Sequence, residues 1–292
     1  MRTALRRVLP LVVVSTLALS LRAQAPAKSA DLGETLERIG EHVAQYYARA
    51  RSVVCVETVV LQPLTASFSF DGFGRELKYE LRVEWDPAAG DRSAEATVVR
   101  RLLTVGGRPP RPKDTPGCMD PKPVSPESLA LLLPARRDEY TFTWAGTSRT
   151  DGRSSVMLDY KAIGTKAPSV VWHDDCVTVD LPGRTRGRVW IDAGTDDIVR
   201  LDEHLTGIFD FPVPRDREIG GGPLWMAIER ADSTVKYRPV VFHDPDETMM
   251  LPASIVSTTI IRNAGVPRLR TTQTFAGYRR FVTGGRVVKD VG

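Results

Sequence analysis

Leu77, Tyr79, Leu81, Val83 and Trp85 alternate with Lys78, Glu80, Arg82 and Glu84. Successive side chains of a strand point to opposite faces, so this strict alternation describes a strand with one dry face and one wet face. An antiparallel sheet with one solvated side reads this way. A parallel sheet, covered on both faces, gives continuous apolar runs instead. A chain of 292 residues carrying this segment must build an antiparallel sheet and then cover one side of it.

The remaining segments supply the sheet and its cover. Ser52–Leu61 is rich in valine, and Ala94–Val105 runs into the turn signal Gly106-Gly107. Two hairpins are expected. One joins 140–147 to 154–162 through Thr150-Asp151-Gly152, and the other joins Gly187–Asp192 to Ile198–Leu205 through Ala193-Gly194-Thr195-Asp196. Further strands fall near 229–242, 249–262 and 268–282. Short turns between about nine to eleven strands favour a meander. For the cover, Leu32, Leu36, Ile39, Val43 and Tyr46 recur at helical spacing, which predicts an amphipathic helix over 31–51 with Asp31 as its cap. A short second helix is expected over Ser125–Leu133, with Pro126 in its first turn. Residues 108–126 hold seven prolines and read as an irregular loop, and 207–223 as a Gly/Pro-rich excursion. Neither reads as a linker, so residues 26–292 are expected to form a single β domain.

The N-terminus reads as an export signal. Met1–Arg7 carries three arginines, Leu9–Leu21 is apolar, and Ala23-Gln24-Ala25 has the form of a cleavage site. Residues 1–25 are expected to be removed after Ala25, placing the mature chain in the periplasm or outside the cell. The whole chain has 40 basic and 36 acidic residues. Arg2, Arg6, Arg7 and Arg22 lie in the signal, which has no acidic residue, so the mature part is balanced. That composition supplies no bulk basic excess for nucleic acid, and no nucleic-acid partner is expected.

Cys55, Cys118 and Cys176 are the three cysteines. An oxidising compartment favours one disulfide and one buried thiol. Cys118 and Cys176 sit in Pro- or Asp-rich contexts that read as loops, whereas Cys55 lies in an apolar strand, so Cys118–Cys176 is the favoured pairing. No GxSxG, HExxH, CxxC or Walker-type motif occurs. His42 lies among polar helix residues and is expected to be solvated. His243-Asp244-Pro245-Asp246-Glu247 reads as an acidic turn rather than a metal site, and Asp192, Asp196 and Asp197 fit turn chemistry. Gly220-Gly221-Gly222 reads as a hinge or lid rather than a phosphate cradle. No catalytic residue, cofactor or metal is expected, and the chain does not read as an enzyme.

The strand Gly187-Arg-Val-Trp-Ile-Asp192 followed by Ile198-Val-Arg-Leu201, the ending Phe275-Ala-Gly-Tyr-Arg-Arg-Phe281 and the turn Met250-Leu-Pro252 resemble the periplasmic lipoprotein-carrier (LolA-like) superfamily, in an uncharacterised secreted bacterial branch. The resemblance implies a mainly β fold, with one long N-terminal helix and an antiparallel meander curved into an incomplete half-barrel under helices. It implies an apolar concave cavity that takes a lipid, an acyl chain or a lipidated protein, without catalysis. Leu77, Tyr79, Leu81, Val83, Trp85, Phe142, Trp144, Val189 and Ile191 are the candidate lining residues, with ordinary sheet core as their bland reading. The alternative function is a module that binds a protein partner in the envelope or senses envelope stress. A hydrolase built from scattered residues would need a tight cluster of His and carboxylate side chains.

Overall fold

Thirteen strands, one α-helix and three short 3-10 helices make up the described part of the chain. The computed structural model describes residues 31–50, 53–85, 96–114, 117–118, 120, 126–150, 152–164, 166–173, 176–217, 224–243 and 246–280. The expectations for the export signal at 1–25, for Ser125 as a cap and for Gly220–Gly222 fall outside these residues.

Helix α1 spans Leu32–Arg49 and buries Leu36, Ile39, Val43, Tyr46 and Tyr47, the stripe its periodicity predicts. The strands are β1 (Val53–Pro63), β2 (Arg75–Trp85), β3 (Ala96–Val105), β4 (Tyr140–Thr150), β5 (Arg153–Ala162), β6 (Ser169–His173), β7 (Cys176–Asp180), β8 (Thr185–Asp192), β9 (Ile198–Leu205), β10 (Phe209–Pro212), β11 (Trp225–His243), β12 (Asp246–Arg262) and β13 (Arg268–Arg280). The main sheet runs β3-β2-β1-β13-β12-β11-β9-β8-β5-β4, with β10 attached to β11, while β6 and β7 form a separate hairpin. Every pairing is antiparallel. Sequence neighbours pair almost throughout, so the meander expectation holds; the long-range exception joins β1 to β13, bringing the two ends of the sheet-forming chain together.

The edge strands β3 and β4 do not pair, so the sheet is an incomplete, curved half-barrel. Residues 106–139 carry the chain from one edge to the other. Within that crossover, the expected short helix is a 3-10 helix over Pro126–Leu132, and a second follows over Pro134–Glu139.

Cross-strand register defines the inner face. One row of side chains passes through Trp144, Leu158, Val189, Leu201, Val235, Ile255, Gln273, Val59, Leu77 and Val105. Partners opposite one another share a face, so this row crosses the whole sheet on one side. Helix α1 and Leu129–Leu133 pack on part of that side, in one core cluster with Leu158, Val189, Leu201 and Val235. Each such fully buried aliphatic side chain contributes on the order of 1.5–3 kcal/mol through the water it leaves. Gly40 lets the helix approach the crossover closely; a Cβ there would stand 2.9 Å from the Leu132 carbonyl oxygen. The guanidinium of Arg137 donates to the Leu36 carbonyl at 2.9 Å across the same contact.

The far side of the helix is clamped to the β8–β9 turn. Arg38 donates to both carboxylate oxygens of Asp196 at 2.7 and 3.0 Å. His42 Nε2 lies 2.9 Å from Asp197 Oδ1. The expectation of a solvated His42 is therefore corrected: its helix face meets a turn that lies more than a hundred residues away in sequence. Asp192 does the expected turn work, accepting from the Gly194 and Thr195 amides at 2.8 and 3.2 Å.

Candidate functional site

The inner face changes character along each strand. On β12, Ile255 belongs to the core beneath the helix, and Ser257, Thr259 and Ile261 continue the same face toward the other end. On β13, Phe275 belongs to that core, followed by Gln273, Thr271 and Leu269. The helix does not extend over this second half. The β6–β7 hairpin roofs it instead, and a cavity of about 390 Å³ remains between roof and sheet. Its walls include Trp172 and Val177 from the hairpin, Cys118 from the crossover, Met226 from β11, Ser257, Thr259 and Ile261 from β12, Leu269 and Thr271 from β13, and the turn residues Ala264, Gly265 and Val266. None of these groups titrates, because Cys118 is held in a disulfide.

The roof is anchored on two sides. Cys176 at the start of β7 is bonded to Cys118 in the crossover, 58 residues away. The favoured pairing is therefore the observed one, and Cys55 is free and buried. Cys176 itself opens a strand rather than lying in a loop, since His173 pairs with it at the end of the hairpin. The Pro-rich crossover is in turn held to β2 by Asp120, which accepts from Tyr79 Oη and Arg75 Nη1, both at 3.4 Å. Burial, with the Asp120 charge added, pushes the Tyr79 phenol up to about 12, so it stays protonated and donates. On the other side of the roof, the Trp172 ring packs against Phe211 with centroids 6.3 Å apart.

A buried polar group separates the two halves. Glu57 is 0% exposed; its Oε1 accepts from Arg100 Nη2 at 2.6 Å and from Gln273 Nε2 at 2.8 Å. The Arg100 guanidinium also lies over the Tyr79 ring, 4.9 Å from its centroid. Burial pushes the Glu57 carboxyl up, and Arg100 and Gln273 oppose the shift. A buried carboxylate needs such partners, because its desolvation costs several kcal/mol.

The nine sequence-derived candidates distribute unevenly over this surface. Leu81, Val189 and Ile191 are core residues of the helix-covered half. Leu77 and Tyr79 join Val59 and Leu61 in a smaller cluster, against which Leu269 of the cavity wall also packs. Phe142 is half-buried beside Tyr140 and Tyr160. Trp144, on the edge strand, is 41% exposed. The side chains of Val83 and Trp85 fall outside the described residues. None of the nine is among the residues that wall the cavity. Sequence reasoning missed the hairpin over 169–180 altogether, although Val170 and Trp172 alternate with Ser169, Val171 and His173. Among the described residues, no group of three or more His, Cys, Asp or Glu side chains gathers as a metal site would require. His243 and Asp246 form only an exposed pair at 3.7 Å.

Fold and cavity together define an open antiparallel half-barrel with an apolar interior, half of it filled by a helix. No family model matches the sequence, and no curated protein matches it either. Among solved structures the chain is similar to a putative outer membrane lipoprotein-sorting protein domain from Vibrio parahaemolyticus, at 11% identity over 86% of this chain and 95% of that one, with a TM-score of 0.35. A LolA superfamily protein from Nitrosomonas europaea is similar at 9% identity, over 84% and 94% of the two chains, with a TM-score of 0.33. A DUF1329 family protein from Desulfovibrio piger is similar at 8% identity, over 86% and 94%, with a TM-score of 0.41.

Proposed function

We propose that this chain is an exported, non-catalytic binding protein of the cell envelope that holds a lipid, an acyl chain or the acyl group of a lipidated protein. The observation that carries the reading is the cavity of about 390 Å³ under the β6–β7 hairpin. It falls within the size range of ligand pockets, about 300–1,000 Å³. Its walls are apolar, with the hydroxyls of Ser257, Thr259 and Thr271 as small polar points. Walls without a titratable group suit binding by exclusion of water and leave no acid or base for hydrolysis. The candidates Leu77 and Tyr79 extend this apolar surface past Leu269 toward β2.

Titration with a fluorescent fatty acid, followed by native mass spectrometry after exposure to envelope lipids, tests the reading. Binding at one site is expected. Thr259→Trp, which places an indole in the cavity, should weaken it by at least about tenfold. If the protein binds no acyl ligand but does capture a peptide from an envelope partner, the lipid reading falls and the cavity becomes a protein-docking site.

A further inference from the structure

The turns at the cavity end of the sheet carry large apolar side chains into solvent. Between β1 and β2, residues 64–74 present Phe68, Phe70 and Phe73, which are 48%, 68% and 102% exposed. The neighbouring strand entry presents Leu224 and Trp225, both more than half exposed. The two lie along one end of the sheet. Leu64 donates its amide to Arg268, just past the β12–β13 turn, and Asn263 in that turn donates its side-chain amide to the Trp225 carbonyl at 2.9 Å. Ala264, Gly265 and Val266 of the same turn wall the cavity.

This display is built rather than incidental. The Gln62 side-chain amide donates to the carbonyls of Pro63, Asp71 and Gly72, and Asp71 donates its amide back to Pro63 at 2.9 Å. Phe68 itself sits at φ 62°, a left-handed conformation that bulky residues rarely adopt without support from their surroundings. Three exposed aromatic rings on one hydrogen-bonded loop form the kind of patch that marks an interaction surface.

We propose that this rim docks onto an anionic phospholipid bilayer, with the Phe68, Phe70 and Phe73 rings entering the interface. Phe68, Phe70 and Phe73 project from one exposed loop, with Leu224 and Trp225 on the neighbouring strand entry, and such isolated rings suit a surface that can yield around each of them. Charge supports the same occupant. Residues 262–270 contain Arg262, Arg268 and Arg270 and no acidic residue, against the single acidic residue Asp71 of the 64–74 loop, and the Arg230 guanidinium lies 6.0 Å from the Phe68 ring centroid. Arg230 and Arg262 are balanced by Asp232 and Glu229, whereas Arg268 and Arg270 make no ion pair among the described residues and are left for lipid headgroups. Docking by this rim would bring the cavity-walling turn of Ala264, Gly265 and Val266 to the membrane. What is exchanged there rests on the lipid-binding reading; the docking does not.

The test is co-sedimentation of the protein with vesicles of phosphatidylcholine alone and of phosphatidylcholine with phosphatidylglycerol, beside the fluorescent fatty-acid titration. Wild type should partition to the anionic vesicles. The Phe68→Ser, Phe70→Ser, Phe73→Ser triple variant should lose at least about tenfold of that partition, with an unchanged melting temperature and unchanged fatty-acid affinity. Equal partition of wild type and variant overturns the proposal, as does failure of wild type to bind. A wild-type dimer that the substitutions dissociate, with no vesicle binding, also overturns it and assigns the rim to a second copy. Phe-dependent vesicle binding without fatty-acid binding would leave the docking standing and remove the cavity reading.

Discussion

One sheet face supports two different interiors. Under α1 it is filled: Leu158, Val189, Leu201 and Val235 meet Leu36, Ile39 and Val43 in a continuous core. Under the β6–β7 hairpin it is not: Ser257, Thr259 and Thr271 are short, the roof is a single layer two strands wide, and about 390 Å³ stays open. The same antiparallel alternation produces both halves, so alternation does not decide which half is empty. What decides it is the volume of the inward residues set against the volume of the element laid over them. The helix-covered half is held by a continuous packed core with polar clamps at the helix's edges, whereas the hairpin-covered half is held by a covalent bond, an aromatic contact and the Asp120 hydrogen bonds. A roof fixed at a few points can stand off a sheet; a helix lying on its apolar stripe cannot.

Substitutions should separate the two halves. The largest effect is expected from Leu158→Ala, which opens a void in the filled half. Urea denaturation should show a loss of about 3–5 kcal/mol, with fatty-acid affinity in the other half kept. Joint replacement of Cys118 and Cys176 by serine should cost about 2–4 kcal/mol by freeing the unfolded chain. It should also weaken the fatty acid, because the roof loses its anchor; unaltered affinity would mean that the hairpin stays seated without the disulfide. Gly40→Val should cost about 1–3 kcal/mol by forcing the helix off the Leu132 carbonyl, with the cavity again unaffected.

The smallest effect concerns the clamp between α1 and the β8–β9 turn, and it depends on pH. Burial pushes the Asp197 carboxyl up, but hydrogen bonds from His42 and Thr195 outweigh it and hold the group below the ordinary carboxylate range. A depressed carboxyl contributes stability that is present above its unfolded pKa, about 3.9, and is lost as pH falls through the folded value. Asp197→Asn should therefore remove up to about 1 kcal/mol at neutral pH and flatten the loss of stability in acid. A variant whose melting temperature falls in acid as steeply as that of wild type would show that the clamp is not a source of acid sensitivity.

Local signals were legible where a single element expresses them. The helical stripe from Leu32 to Tyr46, the alternation in β2 and the turn chemistry around Gly152 and Asp192 all appear in the fold as the sequence reads. The Cys118–Cys176 bond was legible by elimination of the strand-borne Cys55. The β6–β7 hairpin was not, because its strands have only five residues each and lie beside Asp- and Pro-rich segments. The His42–Asp197 clamp and the Glu57–Arg100–Gln273 group were not either, since their members come from separate elements.

The residues of this chain determine by themselves that it forms an antiparallel sheet with one dry face and one helix to lie on it, because strand and helix periodicities are properties of neighbours in sequence. Only the tertiary structure decided that β1 closes on β13, that β3 and β4 stay apart, and that a cavity remains beneath a disulfide-tied hairpin while the helix fills the part of the sheet it covers. Those outcomes depend on how volumes from distant segments add up in the space the sheet encloses, and no single stretch of sequence carries that sum.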